Sequence, residues 1–310
     1  MAFALSKRHG GLSMAAEENE DDSFPSTGLL LIGMGMGSLE GMTRAAIEAA
    51  RNADHRRYEA YTALWPEDEL KRLEAEVGSI ERVMRPEVEH PEALFSLAKK
   101  SVVALFVVGD PLQATTHVDL QLRAESAGID CHVYHGISIT TVATGAVGLS
   151  NYRFGRQVTL TYPYGDWIAT SPLELVAVNW SRNLHTLVLL DLDPTGQGTG
   201  EQRPMKPADA VNSMRLMWEK VELRKDEPIS EEFMLLAQEQ AIVNGYMMQA
   251  FDDLPVVLCS DMGTVDQHIV TTTLGALADE PGGRLNCLIF PAGTSEVEEK
   301  ALLRWKRGGE

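Results

Sequence analysis

The chain reads as an α/β protein with a largely parallel sheet in its first half. Three observations carry this reading. Leu29–Ile32 and Ser101–Val108 are short runs that are apolar on both faces, as strands in the middle of a parallel sheet must be. Amphipathic stretches of helical period alternate with such runs along the chain. Both runs also end in glycine turns, Gly33-Met34-Gly35-Met36-Gly37 and Gly109-Asp110-Pro111-Leu112. Ligands of open α/β sheets bind at such places, outside the carboxyl ends of strands.

The elements follow in order. Residues 1–27 mix Lys, Arg, Gly, Ser and an acidic run without periodicity and read as a flexible acidic arm, with order beginning at Thr27-Gly28. After the first glycine turn, Ser38 reads as an N-cap, followed by Leu39, Met42, Ala45, Ala46 and Ala49 at helical spacing. Arg57–Tyr61 suits a strand, and Glu67–Val77 and Pro91–Lys99 suit helices. Val118–Ala127 reads as a helix stopped by Gly128, and Ile129–Tyr134 as a strand. An N-terminal α/β domain over 28–135 and a C-terminal α/β domain over 136–310 are expected. In the latter, Ser138–Gly148 is small and apolar. Gln157–Tyr162, Thr186–Leu190, Pro255–Leu258 and Asn286–Phe290 suit strands. Asp193–Pro207 reads as a loop. Ala208–Leu223, Glu231–Phe251 and Glu296–Trp305 read as helices, with an added helical segment near 225–252.

Composition bounds the function classes. The 310 residues suit about two domains. With 44% hydrophobic residues, a sizeable core is available. The net charge is −18, and the arm accounts for only −3 of it. Such a balance argues against a protein built to grip a phosphate backbone, and no nucleic-acid partner is expected. Cys131, Cys259 and Cys287 are scattered, odd in number and set among apolar neighbours. They show no disulfide or zinc spacing and fit small buried hydrophobes in a reducing cytoplasm. No apolar run reaches the ~18 residues of a membrane span, and no secretory signal is evident.

The first glycine turn invites a dinucleotide reading, but Ser38 occupies the place of the third glycine of G-x-G-x-x-G. Glu59 falls near the position of an acidic ribose partner. A plain tight turn and a turn whose bare backbone approaches a ligand both fit these glycines. Asp110 is the stronger signal. Gly109 permits an unusual conformation before it, Pro111 pins the backbone after it, and Thr115, Thr116 and His117 add polar groups where a helix begins. No G-x-S-x-G elbow, H-E-x-x-H or Walker loop is present. His132 and His135 lie three apart, on a strand and its exit, without supporting acids, so no metal site is expected. His185 reads as structural.

With both turns placed, the sequence resembles the diphthine synthases, methyltransferases of diphthamide biosynthesis within the fold class of the tetrapyrrole methylases. The matching segments are Ile32-Gly33-Met34-Gly35, Glu59-Ala60-Tyr61-Thr62, Gly109-Asp110-Pro111-Leu112 with Ala114-Thr115-Thr116-His117, Tyr152-Arg153-Phe154-Gly155, and His185-Thr186-Leu187 through Leu190-Asp191. The resemblance runs from about residue 29 to 193 and thins beyond.

It implies two α/β domains of the tetrapyrrole methylase type, with S-adenosylmethionine in the cleft between them, usually in a homodimer. It implies methylation of the amino nitrogen of a modified histidine on translation elongation factor 2, giving S-adenosylhomocysteine. Eukaryotic members of the family add a further methyl ester. The cofactor-contact positions carried over are Met36, Asp110, Gln113, Ser138, Ile139, Leu190, Met262 and Asn286. Met36 stands where the family usually has Leu, Gln113 where it has an aliphatic residue, and Asn286 where it has His. No general base is identified. A tetrapyrrole methylase of the same fold and a nucleotide-binding module without turnover are the alternatives.

Overall fold

The computed structural model describes residues 24–197, 202–225 and 234–306, which form two five-stranded sheets. The first holds β1 (Gly28–Gly33), β2 (His55–Glu59), β3 (Glu81–Val83), β4 (Val102–Val107) and β5 (Cys131–Tyr134), in the order β3-β2-β4-β1-β5. Every pairing in it is parallel. Helices α1 (Arg44–Asn52), α2 (Glu67–Val77), α3 (Arg85–Glu89), α4 (Glu92–Ala98) and α5 (His117–Ser126) flank it.

The doubly apolar runs now have a cause. Successive strand side chains point to opposite faces. Leu30, Ile32, Ala104 and Phe106 pack with Ala46 of α1 and Leu73 of α2. Leu29, Leu31, Val103 and Leu105 pack on the other face with Leu94 of α4 and Leu120 of α5. Both strands are buried along their whole length. Truncating one such residue, as in Leu31→Ala, would cost about 2–5 kcal/mol.

The second sheet is mixed. It holds β6 (Val158–Leu160), β7 (Thr186–Leu190), β8 (Pro255–Ser260), β9 (His268–Thr273) and β10 (Asn286–Phe290), in the order β6-β7-β10-β8-β9. Only β6 and β7 run parallel within it. One face packs on α7 (Ser171–Ser181) and α8 (Pro207–Arg224); the other packs on α6 (Ile139–Ala146) and Trp305, beyond α11 (Glu296–Leu303). The set is completed by α9 (Met234–Tyr246) and α10 (Leu274–Leu277).

Several local expectations change. Ser38 does not cap α1: a 3-10 turn over Leu39–Gly41 intervenes, and Thr43 caps the helix by accepting from Ala46 N–H. The strands β3 and β9 and the helices α3, α6, α7 and α10 were not expected. Of these, β3 is three residues long, β9 ends in three threonines, and α10 has only four residues. The apolar residues of α7 surround it too evenly to show a stripe. The expected helix over Glu231–Phe251 ends at Tyr246, and Phe251 begins a 3-10 turn; its first residues, 231–233, lie outside the described residues. So do residues 1–23 of the expected arm. Phe24 packs against the first core, ahead of the expected start of order.

His185 has the structural role expected of it. It is fully buried at the start of β7, with Nε2 3.2 Å from Glu298 Oε1 and Nδ1 accepting from Ala292 N–H at 3.0 Å. Glu298 also takes the amides of Ser150 and Ser295 and the guanidinium of Arg153. Burial pushes its carboxyl up, but these hydrogen bonds outweigh burial and hold it at about 2. Burial holds the His185 imidazole below its ordinary value.

Candidate active site

The first sheet fixes where a ligand enters. From β1 the chain crosses to β2 on one side, and from β4 it crosses to β5 on the other. Their exit loops part at the carboxyl ends of β1 and β4, which opens a crevice there. Both loops are glycine turns, and they pair with each other. Gly35 N–H donates to Gly109 C=O at 3.1 Å, and Gly109 N–H returns to Gly35 C=O at 2.8 Å. Gly35 and Gly109 sit at φ +70° and +80°, a region that favours glycine. A third glycine completes the junction. A Cβ on Gly136 would collide with the Gly109 carbonyl, and one on Gly33 would lie 2.5 Å from Gly136 N. No side chain fits where these three backbones meet.

A pocket opens from this junction toward the second sheet. Its cavity volume is about 170 Å³, continuous with an open mouth. One wall comes from the glycine turns and from Thr62, Ala63 and Leu64 after β2. The other comes from the ends of β7 and β10, from Cys259 of β8, and from the start of α6. Of the sequence-derived residues, Met36, Gln113, Ser138, Ile139, Leu190, Met262 and Asn286 line it. Met36 and Asn286, 250 positions apart in sequence, thus face one space.

Asp110 is the exception. It is only 3% exposed and stands behind the wall rather than in it. Its Oδ1 accepts from Leu112 N–H at 2.9 Å; its Oδ2 accepts from Gly136 N–H at 3.3 Å and lies 2.7 Å from His135 Nδ1. The carboxylate therefore ties the turn after β4 to the segment leading into α6. His135, which lacked acidic neighbours in sequence, finds its acid here. Asn286 lines the pocket, but its amide is engaged elsewhere. Its Oδ1 accepts from the Ser260 hydroxyl at 2.7 Å and from Gly283 N–H at 2.8 Å, and its Nδ2 donates to Met205 C=O at 3.2 Å. Gln113 accepts from the Thr140 hydroxyl, and Ser138 caps α6 through Thr140 N–H. Ala114 sits in the wall at φ +56°, an uncommon conformation for a non-glycine residue.

A second buried pair supports the Thr62–Leu64 part of the same wall. Glu59 and His117 are almost fully excluded from solvent, with Nε2 2.7 Å from Oε2. Glu59 Oε1 also accepts from Thr62 N–H at 3.1 Å. Glu59 is thus committed to His117 and the Thr62 loop, and the dinucleotide reading of it falls away. The pair joins the loop after β2 to the first turn of α5.

Sequence reasoning did not find Thr62–Leu64, Cys259, Asp261, Arg284 or Cys287 as pocket residues. Thr62 closes the Glu59-Ala60-Tyr61-Thr62 segment, which was the available signal. Cys259 and Cys287 face each other across β8 and β10. The hydrogen bond to Cys287, together with burial, pushes the Cys259 thiol well up, which makes it a poor nucleophile. Cys131 is half-buried rather than buried. Among the described residues no cluster of His, Cys, Asp and Glu is arranged to hold a metal.

Comparison with known proteins agrees with this geometry. The tetrapyrrole (corrin/porphyrin) methylase family matches residues 28–278. The chain is 33% identical to a diphthine synthase of Halorubrum lacusprofundi over 281 residues, covering 89% of this chain and 95% of that protein. It is 30% identical to a diphthine synthase of Haloquadratum walsbyi, covering 88% and 93%. A crystal structure of a diphthine synthase superposes with a TM-score of 0.69 at 26% identity, covering 90% of this chain and 95% of that one. A conserved hypothetical protein from Aeropyrum pernix K1 superposes with a TM-score of 0.73 at 27% identity, covering 90% and 89%. With two paired glycine turns at the switch point and this kinship along nearly its whole length, the chain belongs to the tetrapyrrole methylase family and, within it, to the diphthine synthases.

Proposed function

We propose that the chain is an S-adenosylmethionine-dependent N-methyltransferase that acts on the modified histidine of translation elongation factor 2 in diphthamide biosynthesis. One observation supports this most: the pocket at the switch point takes its walls from both sheets, and seven of the eight residues to which the cofactor reading points line it.

The residues present fit such a donor. Met36, Ile139, Leu190 and Met262 give apolar surface for an adenine ring and a sulfur substituent. The Ser138 hydroxyl and the Gln113 amide give polar partners. When bound, the sulfonium supplies an electrophilic methyl group.

The protein's task is then placement. Holding an amine in line with that methyl group can lower the barrier by ~7–11 kcal/mol. Asp110 keeps the Gly109–Gln113 turn and the Gly136–Ser138 segment together, while Glu59 and His117 hold the Thr62 loop. Asp261 is committed to two backbone amides and serves as a turn residue. The acceptor amine must be neutral to attack. A lysine-like amine has a reference pKa of about 10.4, and burial in the cleft lowers it.

The boundary between the two units is placed at 135/136, between the strand β5 and the segment leading into α6. A homodimer and a cytoplasmic site of action beside the translation machinery complete the reading. Among the described residues no helix is long and apolar enough to cross a membrane.

Calorimetric titration with S-adenosylhomocysteine tests the assignment of the pocket. Binding by the wild type, lost in Leu190→Glu at an unchanged melting temperature, supports it. A wild type that binds neither S-adenosylmethionine nor its product overturns it.

A further inference from the structure

Arg284 is the one cation among the described residues lining the pocket. It lies just before β10 and is half-buried. The turn that presents it is built on Asp261, itself at φ +47°. The Asp261 carboxylate accepts from the backbone N–H of Arg284 at 2.9 Å and of Leu285 at 3.0 Å. A Cβ on Gly283 would run into that carboxylate, so the turn closes tightly around it. Asp261 therefore fixes the Arg284 backbone and is not the partner of its side chain.

Among the described residues the Arg284 guanidinium makes no hydrogen bond and no ion pair. Its charge nevertheless acts across the cleft. Burial raises the Tyr58 phenol to about 12, and Arg284 is among the charges opposing that rise. Hydrogen bonds from Arg82 hold Glu67 below the usual carboxylate range, and Arg284 adds to the effect. Tyr58 lies on β2 and Glu67 opens α2, both on the first sheet's side. Both Glu67 oxygens are already taken by Arg82. The cation thus reaches from the second sheet toward the Thr62–Leu64 wall with its own donors unspent.

A planar guanidinium with five N–H donors matches a carboxylate through two parallel hydrogen bonds. We propose that Arg284 recognises the carboxylate of an α-amino-acid end bound in this pocket. The inference rests on the methyltransferase reading, which brings two such ends to the site. One is the methionine end of the donor. The other is the extension of the acceptor histidine, which carries the amine to be methylated and the carboxyl group that eukaryotic members esterify. A pocket with apolar walls and one unpaired cation discriminates in favour of a ligand bearing that carboxylate.

Full-length wild type, Arg284→Gln and Arg284→Lys are titrated with S-adenosylhomocysteine and with 5′-methylthioadenosine, which keeps the nucleoside and the sulfur but lacks the amino-acid end. Steady-state methyl transfer to elongation factor 2 carrying the unmethylated intermediate is measured beside them. If the donor's carboxylate is the ligand, Arg284→Gln weakens S-adenosylhomocysteine at least tenfold and leaves 5′-methylthioadenosine within twofold. If the acceptor's carboxylate is the ligand, both titrations are unchanged and KM for the protein acceptor rises at least tenfold, while kcat holds within threefold. In either case Arg284→Lys, which keeps the charge and loses the fork, falls between the two. An Arg284→Gln variant that matches the wild type in both titrations and in KM overturns the proposal and leaves the methyltransferase reading standing. So does one that weakens both nucleosides equally. A wild type that binds neither nucleoside refutes the methyltransferase reading itself, and the proposal with it.

Discussion

Replacing Asp110 by Asn should loosen the pocket before it touches any ligand. The carboxylate accepts from two part-buried backbone amides and faces His135, all within 3.3 Å. Asparagine is nearly isosteric but keeps one acceptor oxygen. If that oxygen stays with Leu112, the new NH₂ group faces the Gly136 N–H, donor against donor. His135 can adapt by presenting Nδ1 as an acceptor, so the loss concentrates on one part-buried amide and is at most about 1–3 kcal/mol. For a chain of this size that is a fall in melting temperature of roughly 2–5 °C. Gly136 sits against Gly33 and Gly109, so a shift there moves Gln113 and Ser138 as well. A displacement near 1 Å at reacting groups can cost about 10²-fold in rate. The assay is thermal unfolding with single-turnover methyl transfer on the same preparations. His135→Ala is the internal control: its side chain is 70% exposed, and it should cost under about 1 kcal/mol. If Asp110→Asn melts with the wild type and transfers methyl groups at full rate, Asp110 does not organise the wall. If it melts with the wild type but loses S-adenosylhomocysteine affinity, Asp110 contacts the ligand directly and the placement argued above is wrong.

Two further outcomes are expected. Gly136→Ala forces a Cβ into the Gly109 carbonyl and should abolish S-adenosylhomocysteine binding, measured by calorimetry, with far-ultraviolet circular dichroism retained; binding within twofold of wild type would mean that the glycine junction yields easily. The pH dependence of stability should carry the mark of Glu298. Its carboxyl is held at about 2 against an ordinary 4.5, a difference equivalent to about 3 kcal/mol of stability. A depressed carboxylate contributes above its unfolded value, and the contribution is lost as pH falls from about 4.5 through 2. The depressed His185 acts in the same sense from higher pH, since the unfolded chain takes up its proton first as pH falls through 6.5. Glu298→Gln should therefore melt several degrees below wild type at pH 7, and the gap should shrink toward pH 3. A gap constant with pH would refute the assignment.

The first sheet was legible because its physics is local. Leu29–Ile32 and Ser101–Val108 must be buried on both faces, and few arrangements other than a central parallel strand achieve this. The second sheet was less legible. Its antiparallel partners are joined by long excursions, and β9 closes in threonines at an edge, where neither periodicity nor hydrophobicity marks a strand. The pocket lining was readable where the chain carries motifs, as at Met36, Gln113 and Ser138. Asp110 was found by its place in the Gly-Asp-Pro turn, but its hydrogen-bond partners were not. Sequence shows that a carboxylate follows a strand end; it does not show that two amides and an imidazole surround it. Arg284 and the facing pair Cys259 and Cys287 left no local trace, because strand pairing in the second sheet brings them to the pocket.

The central claim is the transfer of a methyl group to a modified histidine. Purified chain is incubated with S-adenosylmethionine labelled in the methyl group and with elongation factor 2 carrying the unmethylated intermediate, and the factor is then digested and its peptides sequenced by mass spectrometry. The account expects label on the amino nitrogen of the single modified histidine, absent from a factor whose histidine is unmodified and reduced about 10²-fold with the Asp110→Asn enzyme. A chain that binds S-adenosylmethionine yet leaves that histidine unlabelled, or labels modified and unmodified factor alike, contradicts it.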